Sequence, residues 1–481
     1  MSRYDFAVVG GGTAGLVAAF GAAGLGARVC LVERAATGGD CLWTGCVPSK
    51  SLLAAAALAH RMRTADAVGL RPVAPDANLS EVMGHVRRAQ AAIAPHDSTE
   101  RLRSAGVEVI QADARFIGPG RLLAGSREIR FRTALVATGS RPVLPPLPGL
   151  ERIDPLTTET VWMLRELPRR LVVLGGGPVG CELGQAFGRL GSSVTLIEAA
   201  GSLLPKEEPE AGALIAERLR EEGVDVRLGT RVVRAEPGPA GFRLLLERAG
   251  VQGTVDLDQI LVAAGRRPRT EGLGLETVGV ATDDTGAVVV DSRLRTTARG
   301  IFAAGDVTGV LPFTHVAAYQ SRVLLANALF GLRRRATYAA VPWVTFTDPE
   351  VGRVGLAEAQ ARERWGSRAI VATFDYAGLD RAICAGEGVG FAKLVADPKG
   401  RLVGATVAAP AGGEAIAELT AWVASGGSIA DVSQTVHAYP TFSMGPARAA
   451  DEYLRARWLN PRVRRLTRPA LALRRLFDRP G

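Results

Sequence analysis

The sequence predicts an α/β protein in which two copies of one strand–turn–helix–strand unit precede a smaller α+β domain. Two observations predict this class. The stretches DFAVVGGGTAGLVAAFGAAGLGARVCLVER and RLVVLGGGPVGCELGQAFGRLGSSVTLIEA share one pattern of an apolar run, a glycine-rich turn, a helix-forming run and a second apolar run. Near the C-terminus, GFAKLVADPKGRLVGATVAA has two apolar runs around a D-P-K-G turn, which is typical of a β-hairpin. The length of 481 residues allows about two to four domains.

The glycine-rich turns carry the pattern of dinucleotide-binding units. In that pattern the first glycine makes a tight turn, the second lets a pyrophosphate approach the backbone, and the third lets the helix pack on the strand. An acidic residue at the end of the second strand binds the adenosine ribose. The two sets are Gly10, Gly12 and Gly15 with Glu33, and Gly175, Gly177 and Gly180 with Glu198. Because the spacing is the same in both copies, the sequence predicts two Rossmann-like domains that each bind one dinucleotide.

Glu198 also bears on which nicotinamide nucleotide is bound. A carboxylate at the ribose position repels a 2′-phosphate, and the neighbouring sequence IEAAGSLLP contains no arginine that would bind one. The sequence therefore favours NADH over NADPH.

Three further predicted strands end in small residues, as expected where a chain passes close to a bound cofactor. Two of them are similar: ALVATGSRP contains Thr138, Gly139 and Ser140, and ILVAAGRRP contains Gly265. The third, GIFAAGDV, leads to Asp306, whose carboxylate is suited to accept hydrogen bonds from the ribityl hydroxyls of a flavin. The alternative is an ordinary aspartate that caps the following helix.

The stretch GGDCLWTGCVPSK places Cys41 and Cys46 before a predicted helix, PSKSLLAAAALAHRMR. Thiols at a helix N-terminus have lowered pKa values, which favours thiol exchange. A zinc site would need two more ligands, and the other cysteines are single and scattered, so no metal site is expected. A structural disulfide is not expected in a reducing cytosol. A redox dithiol beside a flavin is the favoured interpretation.

These motifs resemble the class I pyridine nucleotide–disulfide oxidoreductases, the flavoprotein family of dihydrolipoyl dehydrogenase, glutathione reductase and mercuric reductase. The resemblance covers residues from about Tyr4 to Tyr453, and the family normally has threonine where this chain has Asp40. It implies that Cys46 faces the flavin and that Cys41 is the interchange thiol that meets the substrate. It also implies that Lys50 lies near the reactive edge of the flavin and pairs with Glu182.

The resemblance implies FAD and NADH as cofactors, a homodimer, and a relay of electrons from NADH through the flavin to the Cys41–Cys46 disulfide. The implied FAD contacts are Gly10, Gly12, Gly15, Glu33, Lys50, Thr138, Gly139, Ser140, Asp306 and His315. The implied NAD contacts are Gly175, Gly177, Gly180, Glu182, Glu198 and Gly265. The expected domains are an FAD-binding domain in two parts (1–152 and 276–336), an NAD(P)-binding domain (153–275), a dimerisation domain (337–454) and a basic tail (455–481).

The C-terminal motif departs from the disulfide-reducing members, which carry His-x-His-Pro-Thr-x-x-Glu. This chain reads HAYPTFSM, so Tyr439 stands in the place of the catalytic histidine and Met444 in the place of its orienting glutamate. A tyrosine with a pKa of about 10 does not replace imidazole as a base near neutral pH. His437 is expected to be packed or hydrogen-bonded, and its entry into the site is the alternative. Tyr439 and His437 are both kept as candidate catalytic residues.

The electron acceptor is predicted to be a metal ion, as in mercuric reductases, which also have tyrosine at this position, or a small disulfide. The vicinal cysteine pair that ends mercuric reductases has no counterpart after Cys384. Two alternatives are a dihydrolipoyl dehydrogenase and a membrane-peripheral NADH:quinone reductase in which the dithiol has no role.

The net charge of +10 is concentrated at the C-terminus, where residues 455–481 contain nine arginines and one acid. The rest of the chain is nearly neutral, so nucleic-acid binding is not expected. The tail is interpreted as a solvated segment or, alternatively, as a weak peripheral membrane contact. No signal peptide and no run of about 20 apolar residues is evident, so the expected compartment is the cytoplasm.

Overall fold

The computed structural model describes residues 3–239, 241–459 and 461–477, and within them the chain forms two compact units. The first unit comprises Met1–Asp66, Arg71–Leu203 and Ala216–Thr337. The second unit comprises Ala67–Leu70, Leu204–Ile215 and Tyr338–Gly481. The finer domain boundaries expected from the sequence stay predictions.

The chain begins with the first strand–turn–helix–strand unit, which confirms the prediction. The elements of this part are β1 (Tyr4–Val9), α1 (Thr13–Gly24), β2 (Val29–Glu33), α2 (Gly39–Trp43), α3 (Cys46–Arg63), α4 (Leu79–Ile93), α5 (Thr99–Ser104), β3 (Val107–Gln111), β4 (Ala114–Gly118), β5 (Arg121–Ala124), β6 (Arg127–Val136) and β7 (Ser140–Pro142). Strands β3, β2, β1 and β6 are parallel neighbours in that order. Strand β1 is buried along nearly its whole length, as expected for a parallel sheet that is covered on both faces.

The second copy of the unit follows and is also confirmed. The elements are β8 (Arg170–Leu174), α6 (Pro178–Leu190), β9 (Ser193–Ile197), α7 (Pro209–Glu221), β10 (Asp225–Arg227), β11 (Arg231–Gly238), β12 (Gly241–Arg248), β13 (Val251–Leu257), β14 (Gln259–Val262), β15 (Arg266–Pro268), β16 (Ile301–Ala303) and α8 (Thr314–Phe330). Strands β10, β9, β8 and β14 form a second parallel sheet. Strand β16 returns to the first sheet beside β6, and β15 pairs antiparallel with β7.

This topology explains why the predicted site residues are grouped at strand ends. In open parallel sheets, ligands bind outside the carboxyl ends of the strands. Gly10, Thr138 and Asp306 follow β1, β6 and β16 of the first sheet, and Gly175 and Gly265 follow β8 and β14 of the second. In the first unit, the carboxyl ends of the strands of both parallel sheets are therefore suited to bind a dinucleotide.

The second unit is α+β, as predicted. Its elements are β17 (Pro342–Thr345), β18 (Glu350–Gly355), α9 (Glu358–Trp365), β19 (Ile370–Asp375), α10 (Asp380–Ala385), β20 (Phe391–Ala396), β21 (Leu402–Ala409), α11 (Gly412–Ser425), α12 (Ile429–Gln434), α13 (Met444–Trp458) and α14 (Pro461–Phe477). The five strands form one antiparallel sheet in the order β17, β18, β21, β20, β19. The predicted hairpin is the β20–β21 pair.

The second unit contains a largely buried ion cluster. The Lys393 ammonium lies 2.6 Å from Glu210, 2.9 Å from Glu358 and 3.3 Å from Glu208. The side chains of Lys393 and Glu208 are only 3% and 2% exposed. A charge that is removed from water to this extent is tolerated only when it is paired, so each partner depends on the other.

The basic C-terminal segment is largely helical. Helix α13 continues to Trp458, and α14 covers Pro461–Phe477. Residue 460 and residues 478–481 of the predicted tail lie outside the described part of the chain.

One helical stretch among the described residues, Gly39–Arg63, is long and apolar enough to cross a membrane by length and composition. The sequence expectation concerned an unbroken run of about 20 apolar residues, and this stretch is interrupted by Asp40, Ser49, Lys50 and Ser51. It comprises α2 and α3, which carry both cysteines of the predicted dithiol, and α3 packs against α4 and α6 in the first unit. Core helices of proteins that do not cross membranes also meet these two criteria.

Candidate active site

The first glycine turn has the close packing that a pyrophosphate cradle requires. Gly10 has φ +106°, and a Cβ there would lie 2.3 Å from the carbonyl oxygen of Ala137. A Cβ on Gly15 would lie 1.9 Å from the oxygen of Gly10, so helix α1 can approach β1 only with glycine at this position. Gly12 precedes the first residue of α1, where free N–H groups and the helix dipole favour an anion. These residues fit the pyrophosphate of FAD.

Glu33 closes this turn as the spacing predicts. Its Oε2 accepts a hydrogen bond of 2.6 Å from the amide of Gly11, and its Oε1 accepts one of 2.9 Å from Ala35. The carboxylate is thereby fixed at the end of β2, beside the glycine turn, where a ribose is expected.

The second glycine turn reproduces this geometry. Gly175 has φ +115°, and a Cβ there would lie 2.5 Å from the oxygen of Ala263, while a Cβ on Gly180 would lie 1.8 Å from the oxygen of Gly175. The Glu198 carboxylate accepts hydrogen bonds of 2.6 Å from Gly176 and 2.7 Å from Ala200. The residues therefore fit a second dinucleotide. Gly265, at φ +122°, follows the neighbouring strand β14.

Ser140 and Asp306, which were predicted from separate motifs, are in direct contact. The Ser140 hydroxyl donates a 2.7 Å hydrogen bond to Asp306 Oδ2. The Thr138 hydroxyl donates a 2.6 Å hydrogen bond to the carbonyl oxygen of Arg269. Gly139, which links Thr138 to Ser140, has φ +70°. The ring of His315, in the first turn of α8, stacks on Phe313 with 5.4 Å between the ring centroids.

The two cysteines of the predicted dithiol lie on consecutive helices and are both free thiols. Cys41 lies within the short helix α2 and Cys46 is the first residue of α3, so Cys41 has a helical position that the sequence did not predict. Cys46 Sγ lies 3.4 Å from the hydroxyl of Thr314. The hydrogen bond from Cys41, together with Thr314 and the Lys50 ammonium, lowers the pKa of Cys46 to about 6 and outweighs partial desolvation.

Cys41 is affected in the opposite direction. Because its thiol is hydrogen-bonded to Cys46, and because it is half-buried, the pKa of Cys41 is raised well above that of a free cysteine. The carboxylate of Asp97, which follows α4, adds to this rise. Gln90 connects α4 to α2, the helix that carries Cys41. Its side-chain amide donates hydrogen bonds to the carbonyl oxygens of Leu42 and Trp43 at 3.1 and 2.9 Å.

Lys50 and Glu182 form the pair that the resemblance implies. Lys50 Nζ lies 2.8 Å from Glu182 Oε2, and the Glu182 side chain is 8% exposed. Lys50 is one turn after Cys46 on α3, and Glu182 lies on α6 after the second glycine turn. The pair connects the thiol helix to the second dinucleotide unit.

Several residues of the site were missed by the sequence reasoning. Thr314 contacts Cys46, Asp97 acts on Cys41, and the indole of Trp162 donates a 3.0 Å hydrogen bond to the oxygen of Thr44. Arg266 binds Ser140 and Asp40. Arg266 could have been found, because it lies in the GRRP sequence that begins with Gly265, whereas the others carry no local signal.

The remaining candidates, Tyr439 and His437, lie in the second unit. The Tyr439 hydroxyl donates a 2.8 Å hydrogen bond to Asp380, which raises the pKa of the phenol. His437 Nε2 lies 2.8 Å from Glu418, and its Nδ1 lies 2.8 Å from the oxygen of Thr435. The expectation of a hydrogen-bonded His437 is confirmed.

The other cysteines differ from the predicted dithiol. Cys30 and Cys181 are buried, and burial raises the pKa of both thiols, that of Cys30 to about 12. Cys384 is exposed on α10. Within the described residues, no group of three or more histidine, cysteine, aspartate or glutamate side chains is arranged to hold a metal ion.

The chain is similar to known proteins over most of its length. Residues 4–321 match the family model of the pyridine nucleotide-disulphide oxidoreductases, and residues 341–450 match that of their dimerisation domain. A dihydrolipoyl dehydrogenase of Thermus scotoductus is 38% identical, over 94% of this chain and 97% of that protein. A mercuric reductase of Streptomyces lividans is 36% identical, over 94% and 96%.

Among solved structures, a Cu(II) complex of the HOCl-induced flavoprotein disulfide reductase RclA of Escherichia coli matches with a TM-score of 0.84 and 29% identity. The match covers 94% of this chain and all of that one. The chain belongs to the pyridine nucleotide–disulphide oxidoreductases, enzymes that use FAD and NAD(P)H.

Proposed function

We propose that the enzyme passes electrons from NADH to Cys41 and Cys46, and from this dithiol to a thiol-binding metal ion such as Hg(II). The proposal is carried by one combination: an activated thiol is present, but the C-terminal motif lacks the acid–base pair of the disulfide-reducing members. The hydrogen bond from Cys41, the Thr314 hydroxyl and the Lys50 ammonium lower the pKa of Cys46, while Tyr439 and Met444 stand in the places of the acid–base pair of the disulfide-reducing members. Thiolates bind soft metal ions directly, so this chemistry depends less on a proton donor.

When bound, FAD supplies the two-electron transfer between NADH and the dithiol. The chain's own residues hold the reactants and their charges. Gly12 and Gly177 let the two pyrophosphates approach helices α1 and α6, and Glu33 and Glu198 fix the riboses. Lys50 stabilises the Cys46 thiolate, and Glu182 keeps the Lys50 ammonium in place.

Support for the acceptor comes from the relatives and from Tyr439. The reduced acceptor of a dihydrolipoyl dehydrogenase leaves as a thiolate that must be protonated, and the Tyr439 phenol is a weak acid whose pKa is raised further by Asp380. A small disulfide therefore remains the second candidate acceptor. The reported relatives are named for mercuric ion and for the dihydrolipoyl group, so the quinone alternative has no support from them.

The acceptor is tested by anaerobic NADH oxidation with Hg(II) in excess thiol, beside the same assay with oxidised lipoamide. The proposal predicts turnover with Hg(II) that Cys41→Ser abolishes and Cys384→Ser leaves intact. Turnover with lipoamide alone would contradict the metal proposal and favour the dihydrolipoyl alternative.

We also propose that α14 makes a weak contact with anionic membrane surfaces. Its apolar side chains Leu466, Leu473 and Phe477 are 78%, 58% and 79% exposed. Positions 463, 466, 470, 473 and 477 follow helical spacing along one face, while the six arginines of the sequence, at positions 462, 464, 465, 468, 474 and 475, lie at other positions. A basic helix with one apolar face is suited to the lipid interface.

Sedimentation with phosphatidylserine vesicles tests this second proposal. Full-length protein is expected to pellet with the vesicles at low salt, and a chain truncated after Leu459 is expected to stay in solution. Equal pelleting of the two proteins would contradict the proposal and leave α14 as a solvated segment.

A further inference from the structure

Position 40 is one of the places where this chain departs from the motif of the family it resembles, with aspartate in place of threonine. Asp40 directly precedes Cys41 in α2. The backbone just before it lies against the first glycine turn, because a Cβ on Gly39 would be 2.5 Å from the Cα of Gly12. In the sequence, an additional carboxylate thus stands between the glycine that packs on the first glycine turn and the proposed interchange thiol.

Arg266 binds this carboxylate. Its Nη2 donates to Asp40 Oδ2, and the two side chains are 29% and 42% exposed. The guanidinium is also held by other partners: Nε donates to the Ser140 hydroxyl at 2.7 Å, Nη2 to the Ser140 carbonyl at 3.0 Å, and Nη1 to the Thr158 hydroxyl at 3.2 Å. Because a planar guanidinium that is fixed by several bonds loses little freedom on pairing, Arg266 is a preorganised partner for Asp40.

The hydrogen bonds of Arg266 continue through Ser140 to Asp306, the proposed flavin contact. Ser140 is 3% exposed and donates its own proton to Asp306 at 2.7 Å. A continuous chain of hydrogen bonds therefore runs from Asp40 through Arg266 and Ser140 to Asp306. This chain connects α2 to Asp306, the residue proposed to bind the ribityl group. The Arg266 cation lies in it between the carboxylates of Asp40 and Asp306.

We propose that Asp40 and Arg266 act as a positioning pair for the redox dithiol. The ion pair holds α2, the helix that carries Cys41, against the Ser140–Asp306 pair, and Arg266 balances the negative charge of Asp40, the residue that precedes Cys41. The inference rests on the proposed role of Cys41 and Cys46 as the redox couple.

The two charges have opposite effects on that couple. Reduction creates a thiolate, which a nearby cation stabilises and a nearby carboxylate destabilises. Replacing Asp40 alone leaves the Arg266 cation unbalanced, and replacing Arg266 alone leaves the Asp40 carboxylate unbalanced. Since both side chains are partly exposed, solvent screens the interaction and the effect is expected to be about threefold in the equilibrium constant.

The experiment measures the thiol–disulfide equilibrium of the FAD-loaded protein against dithiothreitol at pH 7, with alkylated Cys41 and Cys46 peptides quantified by mass spectrometry. Asp40→Asn is expected to shift the equilibrium about threefold toward the dithiol, and Arg266→Gln about threefold toward the disulfide. The double variant is expected to lie close to the native value. Glu247→Gln, on an exposed position of β12, is the matched control for loss of one carboxylate.

The proposal of a positioning pair would be contradicted if the thiol–disulfide equilibria of both single variants shifted in the same direction, or if neither shifted. If the native dithiol does not exchange with dithiothreitol at all, the proposed function fails instead. Should Arg266→Gln not fold, Asp40→Asn and Asp40→Thr still decide, because both must shift toward the dithiol. A second readout is the dissociation constant of FAD by flavin fluorescence. Arg266→Gln should weaken binding, and adding Asp40→Asn should restore part of the loss.

Discussion

Lys50 Nζ lies 2.8 Å from Glu182 Oε2, which connects the helix that begins at Cys46 to the helix that follows the second glycine turn. Lys50 therefore makes two interactions. Its ammonium stabilises the Cys46 thiolate, and it pairs with the nearly buried carboxylate of Glu182 on the second strand–turn–helix–strand unit. A compact ammonium is suited to this position, because it adds charge beside the thiol while its own partner fixes its location.

The Lys50 charge is expected to control the ionisation of Cys46. Lys50→Met should move the midpoint of Cys46 alkylation by iodoacetamide from about pH 6 to higher pH, because the thiolate loses a stabilising cation. Glu182→Gln should move it to lower pH, because a carboxylate that offsets the Lys50 charge is removed. Lys399→Met, on an exposed turn of the second unit, is the control. An unchanged midpoint in Lys50→Met would contradict this assignment.

Asp97 is expected to act on the other thiol. Its carboxylate raises the pKa of Cys41, so Asp97→Asn should allow Cys41 to ionise and be alkylated at lower pH than in the native protein. Peptide-resolved alkylation rates between pH 7 and 10 measure this effect, because the rate at each pH follows the thiolate fraction of Cys41. A Cys41 rate that is lower in Asp97→Asn than in the native protein would be inconsistent with the geometry.

The buried cluster of the second unit predicts a stability effect. Lys393→Met leaves Glu208 buried without its cation and should destabilise the protein by about 3–5 kcal/mol, measured by urea unfolding. Adding Glu208→Gln should recover part of that loss, because the uncompensated charge is removed. Lys399→Met is again the control and should change the free energy of unfolding by less than about 0.5 kcal/mol. Equal effects of the two lysine variants would argue against the cluster.

Glu198 is expected to discriminate between the nicotinamide nucleotides. Glu198→Ala removes the carboxylate that repels a 2′-phosphate, so the ratio of kcat/KM for NADPH to that for NADH should rise about tenfold. Glu247→Ala serves as the control. A ratio that stays the same in Glu198→Ala would show that the preference arises elsewhere in the chain.

The parts of the site that follow local rules were predictable from the sequence. Glu33 and Glu198 lie where the glycine spacing places them, because strand, turn and helix lengths within one βαβ unit fix the geometry. Thr314 meets Cys46 across 268 positions and Arg266 meets Asp40 across 226, and no local pattern records such contacts. The helical position of Cys41 was missed for a related reason, since the five-residue helix Gly39–Trp43 depends on the packing of Gly39 against Gly12.

The most direct test of the central claim is to map which thiols NADH reduces. Air-oxidised, FAD-loaded protein is treated anaerobically with NADH, alkylated and digested, and each of the five cysteine peptides is quantified. If electrons pass through the dithiol, one NADH per chain should make Cys41 and Cys46 alkylable together, while Cys30, Cys181 and Cys384 keep their prior reactivity. If NADH reduces the flavin but leaves Cys41 and Cys46 as they were, the dithiol is not part of the electron path and the proposed function is wrong.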